Sequence, residues 1–126
     1  MLGAIFMDYR CELSKSPHII IYGHDAKDLE GNLLMFGKLR QYRDDDFAKG
    51  HCSIKLICGD EVREYSLFAV KITDSTDESY RVDFAEGEFE AFAENIGAPP
   101  DAKEILTLST CLGKDGVRLL IQGARR

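Results

Sequence analysis

The chain is built mainly from short apolar runs that stop at turn-forming residues, a pattern that favours strands over long helices. β-Branched and aromatic residues fill these runs, and glycine, proline or aspartate lies at their ends. A Gly59-Asp60 turn between two runs predicts a hairpin. Strands are predicted over Ala4–Met7, His18–Tyr22, Ser53–Cys58, Glu64–Ile72, Ile105–Thr110 and Val117–Gly123.

Two short helices are predicted to interrupt the strands. After Asn32, a plausible N-cap, apolar residues recur at helical spacing, and the aspartates at 44–46 are expected to form a solvated exit from this helix. A second helix is expected before the Gly97-Ala98-Pro99-Pro100 stop. Its apolar positions are Phe89, Phe92 and Ile96, and those of the first helix are Met35, Leu39 and Tyr42.

Composition indicates one globular domain rather than a disordered or fibrous chain. The 126 residues are 44% apolar and 30% charged, enough to form one core. A net charge of -6 without a lysine or arginine cluster argues against nucleic acid and anionic membranes as partners. No apolar run approaches the roughly 20 residues of a membrane span, and no signal peptide is evident at the start.

Cys11, Cys52 and Cys58 are interpreted as core or incidental thiols, and the lack of a Cys-x-x-Cys pair argues against a disulfide scaffold. A zinc site formed by His51, Cys52 and Cys58 stays open as an alternative, although the spacing is irregular. The acidic stretches at 44–46 and 74–78 lack the ligand alternation and glycine of a calcium loop. We therefore predict neither a metal nor another cofactor.

The last hairpin carries the residues that point to chemistry. Asp115-Gly116 is a strong two-residue turn signal, because both residues tolerate positive φ. With that turn, Cys111 faces Leu120 and is a diagonal neighbour of Arg118 on the same face of the sheet. Thr107 and Ser109 share this face, and Thr110 points to the other.

A cationic neighbour lowers the pKa of a thiol, and the thiolate is the nucleophilic form. The predicted geometry therefore favours an activated Cys111. Two plainer interpretations stay open at this point. Cys111 alone could be a small core residue, and Arg118 could form a surface ion pair with an acidic residue such as Glu104.

Thr107-Leu108-Ser109-Thr110-Cys111, Arg118 on the next strand and Tyr22-Gly23-His24 together resemble the sortases, cysteine transpeptidases of Gram-positive cell envelopes. The likeness is greatest to class B sortases and runs from about residue 3 to residue 122. It implies a mainly β fold, a closed or partly open β-barrel that is mostly antiparallel, with two short helices. Residues 1–126 would form a single catalytic domain, truncated at its N-terminus relative to the family.

The resemblance also implies roles for individual residues. Cys111 would be the nucleophile, His24 the general acid and base, and Arg118 the group that stabilises the oxyanion or holds the substrate. Substrate contacts are expected from residues beside the nucleophile. These are Thr107, Ser109 and Thr110.

The implied partners follow from transpeptidase chemistry. One is the sorting-signal peptide of a surface or pilin-like protein, and the other is a primary amine from a peptidoglycan cross-bridge or a pilin lysine. The implied location is the extracellular face of the cell membrane, although neither an anchor nor a signal peptide is predicted within this chain. The resemblance also implies that the family's first strand is missing, so we expect an exposed barrel edge that would allow pairing with a second copy.

Two other functions stay open. The chain could be a truncated domain that binds a sorting signal or a partner without turnover. It could also be a simple cysteine peptidase, because water can resolve a thioester.

Overall fold

The computed structural model describes residues 5–8, 10–13, 15–23, 26–27, 33–34, 44–50, 52–58, 60–74, 76–111 and 116–126. Within these residues the backbone forms eight strands, two α-helices and one 3-10 helix at Glu78–Tyr80. The strands are β1 Ile5–Met7, β2 His18–Gly23, β3 Ala26–Lys27, β4 Leu33–Leu34, β5 Ser53–Cys58, β6 Glu61–Thr73, β7 Glu104–Cys111 and β8 Arg118–Arg125. The α-helices are α1 Asp45–Gly50 and α2 Glu88–Asn95.

Six of the strands form one sheet in the order β1-β2-β7-β8-β6-β5, and β3 pairs separately with β4. The large sheet curls into half a barrel. Its pairs are antiparallel apart from β2 and β7, which run parallel. This architecture confirms the prediction of a mainly β, mostly antiparallel and partly open barrel.

The predicted hairpin between residues 53 and 72 is confirmed. Cys58 pairs with Glu61, so Gly59 and Asp60 alone connect β5 to β6. The strand β6 is longer than its apolar pattern indicates because charged residues continue it at the start. Arg63 is one of them. It is buried, and it donates hydrogen bonds to Glu61, Glu104 and the Leu13 carbonyl.

Both faces of the sheet are covered by apolar side chains. On one face Ile19, Leu106 and Tyr65 form a cluster of fully buried residues. On the other face the segment between β6 and β7 packs over the sheet, and its helix α2 buries Phe89 and Phe92 against Ile105. The second predicted helix is thus confirmed, with its apolar side toward the sheet.

The aspartates at 44–46, predicted as a solvated exit from the helix after Asn32, coincide with the start of α1, which runs from Asp45 to Gly50. Asp44 and Asp46 are exposed, as predicted. The Asp44 carboxylate accepts a hydrogen bond from the Asp46 backbone N–H at 2.9 Å. Aspartate is favoured at such a helix start because it satisfies a free backbone donor. The helix predicted after Asn32 lies outside the described residues, apart from Leu33 and Leu34 in β4.

Candidate active site

Cys111 and Arg118 lie directly opposite each other where β7 ends and β8 begins. The register predicted from the Asp115-Gly116 turn is therefore wrong by two residues, since the connection spans residues 112–117. The long pairing from Glu104–Arg125 to Cys111–Arg118 sets the register instead of the turn signal. A shift of two residues preserves the faces of a strand. Cys111 and Arg118 consequently share a face, as the alternation predicted.

The parallel pairing of β2 with β7 brings a second motif to the same end of the sheet. Gly23, the last residue of β2, pairs with Thr110, the residue before Cys111. His24 follows Gly23 in the chain and lies outside the described residues, and for Cys111 the structure describes only the backbone. The end of β2, which directly precedes His24, thus lies beside the end of β7, which carries Cys111.

The Arg118 side chain is partly exposed, and its Nη1 donates to the Val117 carbonyl at 3.5 Å. No carboxylate of the described residues forms an ion pair with it. The alternative pairing with Glu104 is wrong. Glu104 lies at the far end of β7, where it accepts hydrogen bonds from Arg63 at 2.7 Å and from Arg125 at 3.5 Å.

The three residues predicted to contact substrate lie on β7 beside Cys111, and all are buried. The Ser109 hydroxyl is hydrogen-bonded to the Tyr80 hydroxyl at 2.7 Å. Thr107 also lies on the face of Cys111, and its hydroxyl contacts His18 Nε2 at 2.8 Å and Gln122 Nε2 at 3.1 Å. Thr110 points to the opposite face, and its hydroxyl has no hydrogen-bond partner among the described residues.

Sequence reasoning placed His18 at a strand end but missed its contacts. The imidazole is fully buried, with Nδ1 2.7 Å from the Arg81 carbonyl oxygen and Nε2 2.8 Å from the Thr107 hydroxyl. Burial lowers its pKa from 6.5 to about 4, so the ring is neutral near pH 7. A histidine at the start of an otherwise apolar strand was the available signal, because such a side chain needs internal partners when it is buried.

Tyrosines connect β2 to the segment between β6 and β7 beside this site. The rings of Tyr22 and Tyr80 stack with centroids 6.2 Å apart. The Tyr22 hydroxyl donates to the Asp8 carboxylate at 2.8 Å, and Arg10 forms an ion pair with the same carboxylate at 2.9 Å. The hydrogen bond from Arg10 is the main reason that the pKa of Asp8 falls to about 2.

Asp77 fixes the start of the same segment to β6. Its carboxylate accepts hydrogen bonds from Lys71 Nζ at 2.9 Å, from the Thr73 hydroxyl at 2.8 Å and from the Ser79 backbone N–H at 2.8 Å. Burial alone would raise the pKa of Asp77, but these hydrogen bonds together lower it below its usual range. Thr73 pairs with Arg118 across the sheet, so this anchor adjoins the cationic end of the site.

Cys11 and Cys52 fit their interpretation as core or incidental thiols. Cys11 is buried in a core cluster, and burial raises the pKa of its thiol. Cys52 is exposed, and both thiols are free.

In the described part of the chain, no three His, Cys, Asp or Glu residues are grouped as metal ligands would be. His51 lies outside the described part. No helix in that part is long and apolar enough to cross a membrane.

Comparison with solved structures identifies the family. Sortase B from Listeria monocytogenes has a TM-score of 0.78 and 30% identity, covering 98% of this chain and 73% of that chain. Sortase B from Clostridium perfringens has a TM-score of 0.80 and 19% identity, with coverages of 98% and 73%. A Staphylococcus aureus sortase B-substrate complex has a TM-score of 0.75 and 24% identity, with coverages of 96% and 61%.

No protein-family model and no curated protein matches the chain. The likeness to the Listeria protein nevertheless extends over almost the whole chain at 30% identity. The curled sheet agrees with the fold of the family that the motifs resemble. The chain belongs to the sortase B family.

Proposed function

We propose that this chain is a sortase-type cysteine transpeptidase, with Cys111 as nucleophile, His24 as general acid and base, and Arg118 as the cationic donor. The observation that carries the proposal is the direct pairing of Cys111 with Arg118 at the end of β7, in a chain with the sortase B fold. A positive charge opposite a cysteine favours the thiolate.

In the first half-reaction the Cys111 thiolate attacks the carbonyl carbon of the threonine in a sorting signal. A C–S bond forms, the adjacent C–N bond breaks, and His24 donates a proton to the leaving amine. The product is a thioester on Cys111, and the peptide segment that follows the threonine departs. The negative oxygen of the tetrahedral intermediate needs a donor, and a five-donor guanidinium such as that of Arg118 suits this task.

In the second half-reaction a primary amine attacks the thioester. His24 accepts a proton from the amine, an amide bond forms, and the Cys111 thiolate is released. The net reaction exchanges one amide for another. It therefore needs no redox cofactor.

The proposed substrates follow from the same chemistry. One is an LPXTG-like or NPXTX-like peptide of a surface or pilin-like protein, and the other is an amine of a peptidoglycan cross-bridge or a pilin lysine. The Staphylococcus aureus relative is described as a sortase B-substrate complex. Anchoring of surface proteins would place the reaction on the extracellular face of the membrane.

Turnover of LPXTG-like and NPXTX-like peptides, with triglycine as the amine, tests the proposal. We expect no turnover by Cys111→Ala or His24→Ala, and a loss on the order of 10²-fold in Arg118→Ala because an oxyanion donor is removed. Cys52→Ala is the matched control, since Cys52 is an exposed free thiol away from β7, and it should retain full activity.

Product mass separates the related reactions. A triglycine adduct of the threonine indicates transfer, whereas a free threonine carboxylate alone would indicate a peptidase. Equal turnover by Cys111→Ala and the unmodified chain would rule out the proposed nucleophile.

A further inference from the structure

The buried His18 imidazole has a defined tautomer. Its Nδ1 faces the Arg81 carbonyl oxygen, which can only accept, so Nδ1 carries the proton. Nε2 is then an acceptor, and the Thr107 hydroxyl donates to it. That hydroxyl in turn accepts a hydrogen bond from Gln122 Nε2 at 3.1 Å. A continuous chain of donors thus runs from Gln122 through Thr107 and His18 to Arg81.

This chain of hydrogen bonds crosses three parts of the molecule. Gln122 and Thr107 are paired residues of β8 and β7, His18 begins β2, and Arg81 belongs to the segment between β6 and β7. The Arg81 carbonyl is one point where buried polar residues of the sheet hold that segment. The His18 ring also lies against Phe92 of α2, with centroids 5.1 Å apart.

The held segment lies beside the candidate nucleophile. Tyr80 directly precedes Arg81, and its hydroxyl contacts Ser109 at 2.7 Å. Ser109 is two residues before Cys111 and therefore lies on the same face of β7. Displacement of Arg81 would also move Tyr80, which contacts β7, the strand that carries Cys111.

An aliphatic residue could fill the His18 position without any need for polar partners. The imidazole instead requires polar partners, and both of its ring nitrogens have one, the Arg81 carbonyl and the Thr107 hydroxyl. Buried polar groups whose partners are satisfied favour one defined arrangement over others. The arrangement fixed here is the position of the segment relative to β7.

We propose that His18 is a positioning residue for the reaction at Cys111. It acts through its hydrogen bond to the Arg81 carbonyl and holds Tyr80 and Arg81 in place beside the bound peptide. The inference rests on the proposed transpeptidase function. Cys111 and Arg118 are held by the pairing of β7 with β8, so the loss of this hydrogen bond should weaken peptide binding more than it changes the chemical step.

Two substitutions separate the two hydrogen bonds of the ring. In His18→Asn the amide nitrogen takes the place of Nδ1 and can still donate to Arg81, but the contact with Thr107 is lost. In His18→Gln the amide oxygen takes the place of Nε2 and can still accept from Thr107, but the contact with Arg81 is lost. Both variants lose the ring contact with Phe92, so each serves as the control for the other.

The readouts are KM and kcat for a sorting-signal peptide, with hydrogen exchange at the backbone amides of Tyr80 and Arg81. We expect His18→Gln to raise KM about fivefold with kcat nearly unchanged, the effect of one lost hydrogen bond. Exchange at the two amides should become faster. His18→Asn should keep both readouts near those of the unmodified chain. The unfolding midpoint of each variant shows whether it is folded in the assay.

Equal KM values and equal exchange rates in the two folded variants would overturn the positioning role and leave the transpeptidase proposal intact. If the unmodified chain turns over no peptide, the transpeptidase proposal fails and the positioning role fails with it. A variant that unfolds under assay conditions while its counterpart keeps normal kinetics would overturn the positioning role alone, since His18 would then be only structural.

Discussion

At the residue scale, the site combines side chains that alternation can predict with others that it cannot. Strand alternation predicts that Cys111 and Arg118 share a face. This prediction is correct although the predicted register was off by two residues, because a shift of two preserves the faces. The contacts of His18 could not be predicted this way, because Arg81 and Thr107 are 63 and 89 positions away in the chain. Only tertiary packing brings these groups together.

Burial of His18 predicts a specific pH dependence of stability. Its pKa is about 4 in the folded chain, compared with an ordinary 6.5 that applies after unfolding. Above pH 6.5 the ring is neutral in both states. Between pH 6.5 and 4 the unfolded chain binds a proton that the folded chain excludes, so the free energy of unfolding falls by about 3 kcal/mol as pH is lowered.

Urea unfolding between pH 7.5 and 4.5 measures this dependence, with His18→Asn as the control that cannot titrate. The variant should lose most of the slope between pH 6.5 and 5, while the acid loss from Asp8 begins only below its ordinary pKa of 3.8. Identical slopes for the two proteins would show that His18 is not held neutral in the folded chain.

At the element scale, local signals predict hairpins and helices better than registers. The Gly59-Asp60 turn and the spacing of Phe89 and Phe92 each predict an element that the structure contains. The Asp115-Gly116 signal predicts the correct hairpin but the wrong register, since eight backbone pairs outweigh one turn. A run of aspartates was ambiguous, because the same residues suit solvated loops and helix starts.

β8 lies so close to β6 at Gly123 that one added methyl group should lower the stability of the protein. A Cβ at Gly123 would lie 2.8 Å from Tyr65 Cβ, which is fixed to the β6 backbone and cannot rotate away. Gly123→Ala should therefore force the strands apart and lower the free energy of unfolding by about 1–3 kcal/mol.

Chemical denaturation of Gly123→Ala and Gly50→Ala provides the comparison. A Cβ at Gly50 meets nothing within 4 Å, so that variant should be as stable as the unmodified chain or more stable. A Gly123→Ala variant with unchanged stability would mean that β6 and β8 are not packed as closely as described.

At the scale of the whole molecule, the parallel pairing of β2 with β7 is the feature that makes a site possible. It places the end of the strand before His24 beside the end of the strand that carries Cys111. The two motifs are 87 residues apart, so hydrophobic patterning cannot pair them. The family resemblance of the motifs supplied what the pattern lacked, and the sortase B fold confirms that resemblance.

The proposed reaction depends on a thioester at Cys111 that an amine resolves. Intact mass after incubation with LPXTG-like and NPXTX-like peptides, with and without triglycine, tests it directly, and Cys111→Ala is the control. We predict an acyl adduct on the unmodified chain alone, which disappears on addition of triglycine as a triglycine-linked peptide forms. A folded chain that forms no adduct with either peptide and releases no product would contradict the claim and favour a domain that binds without turnover.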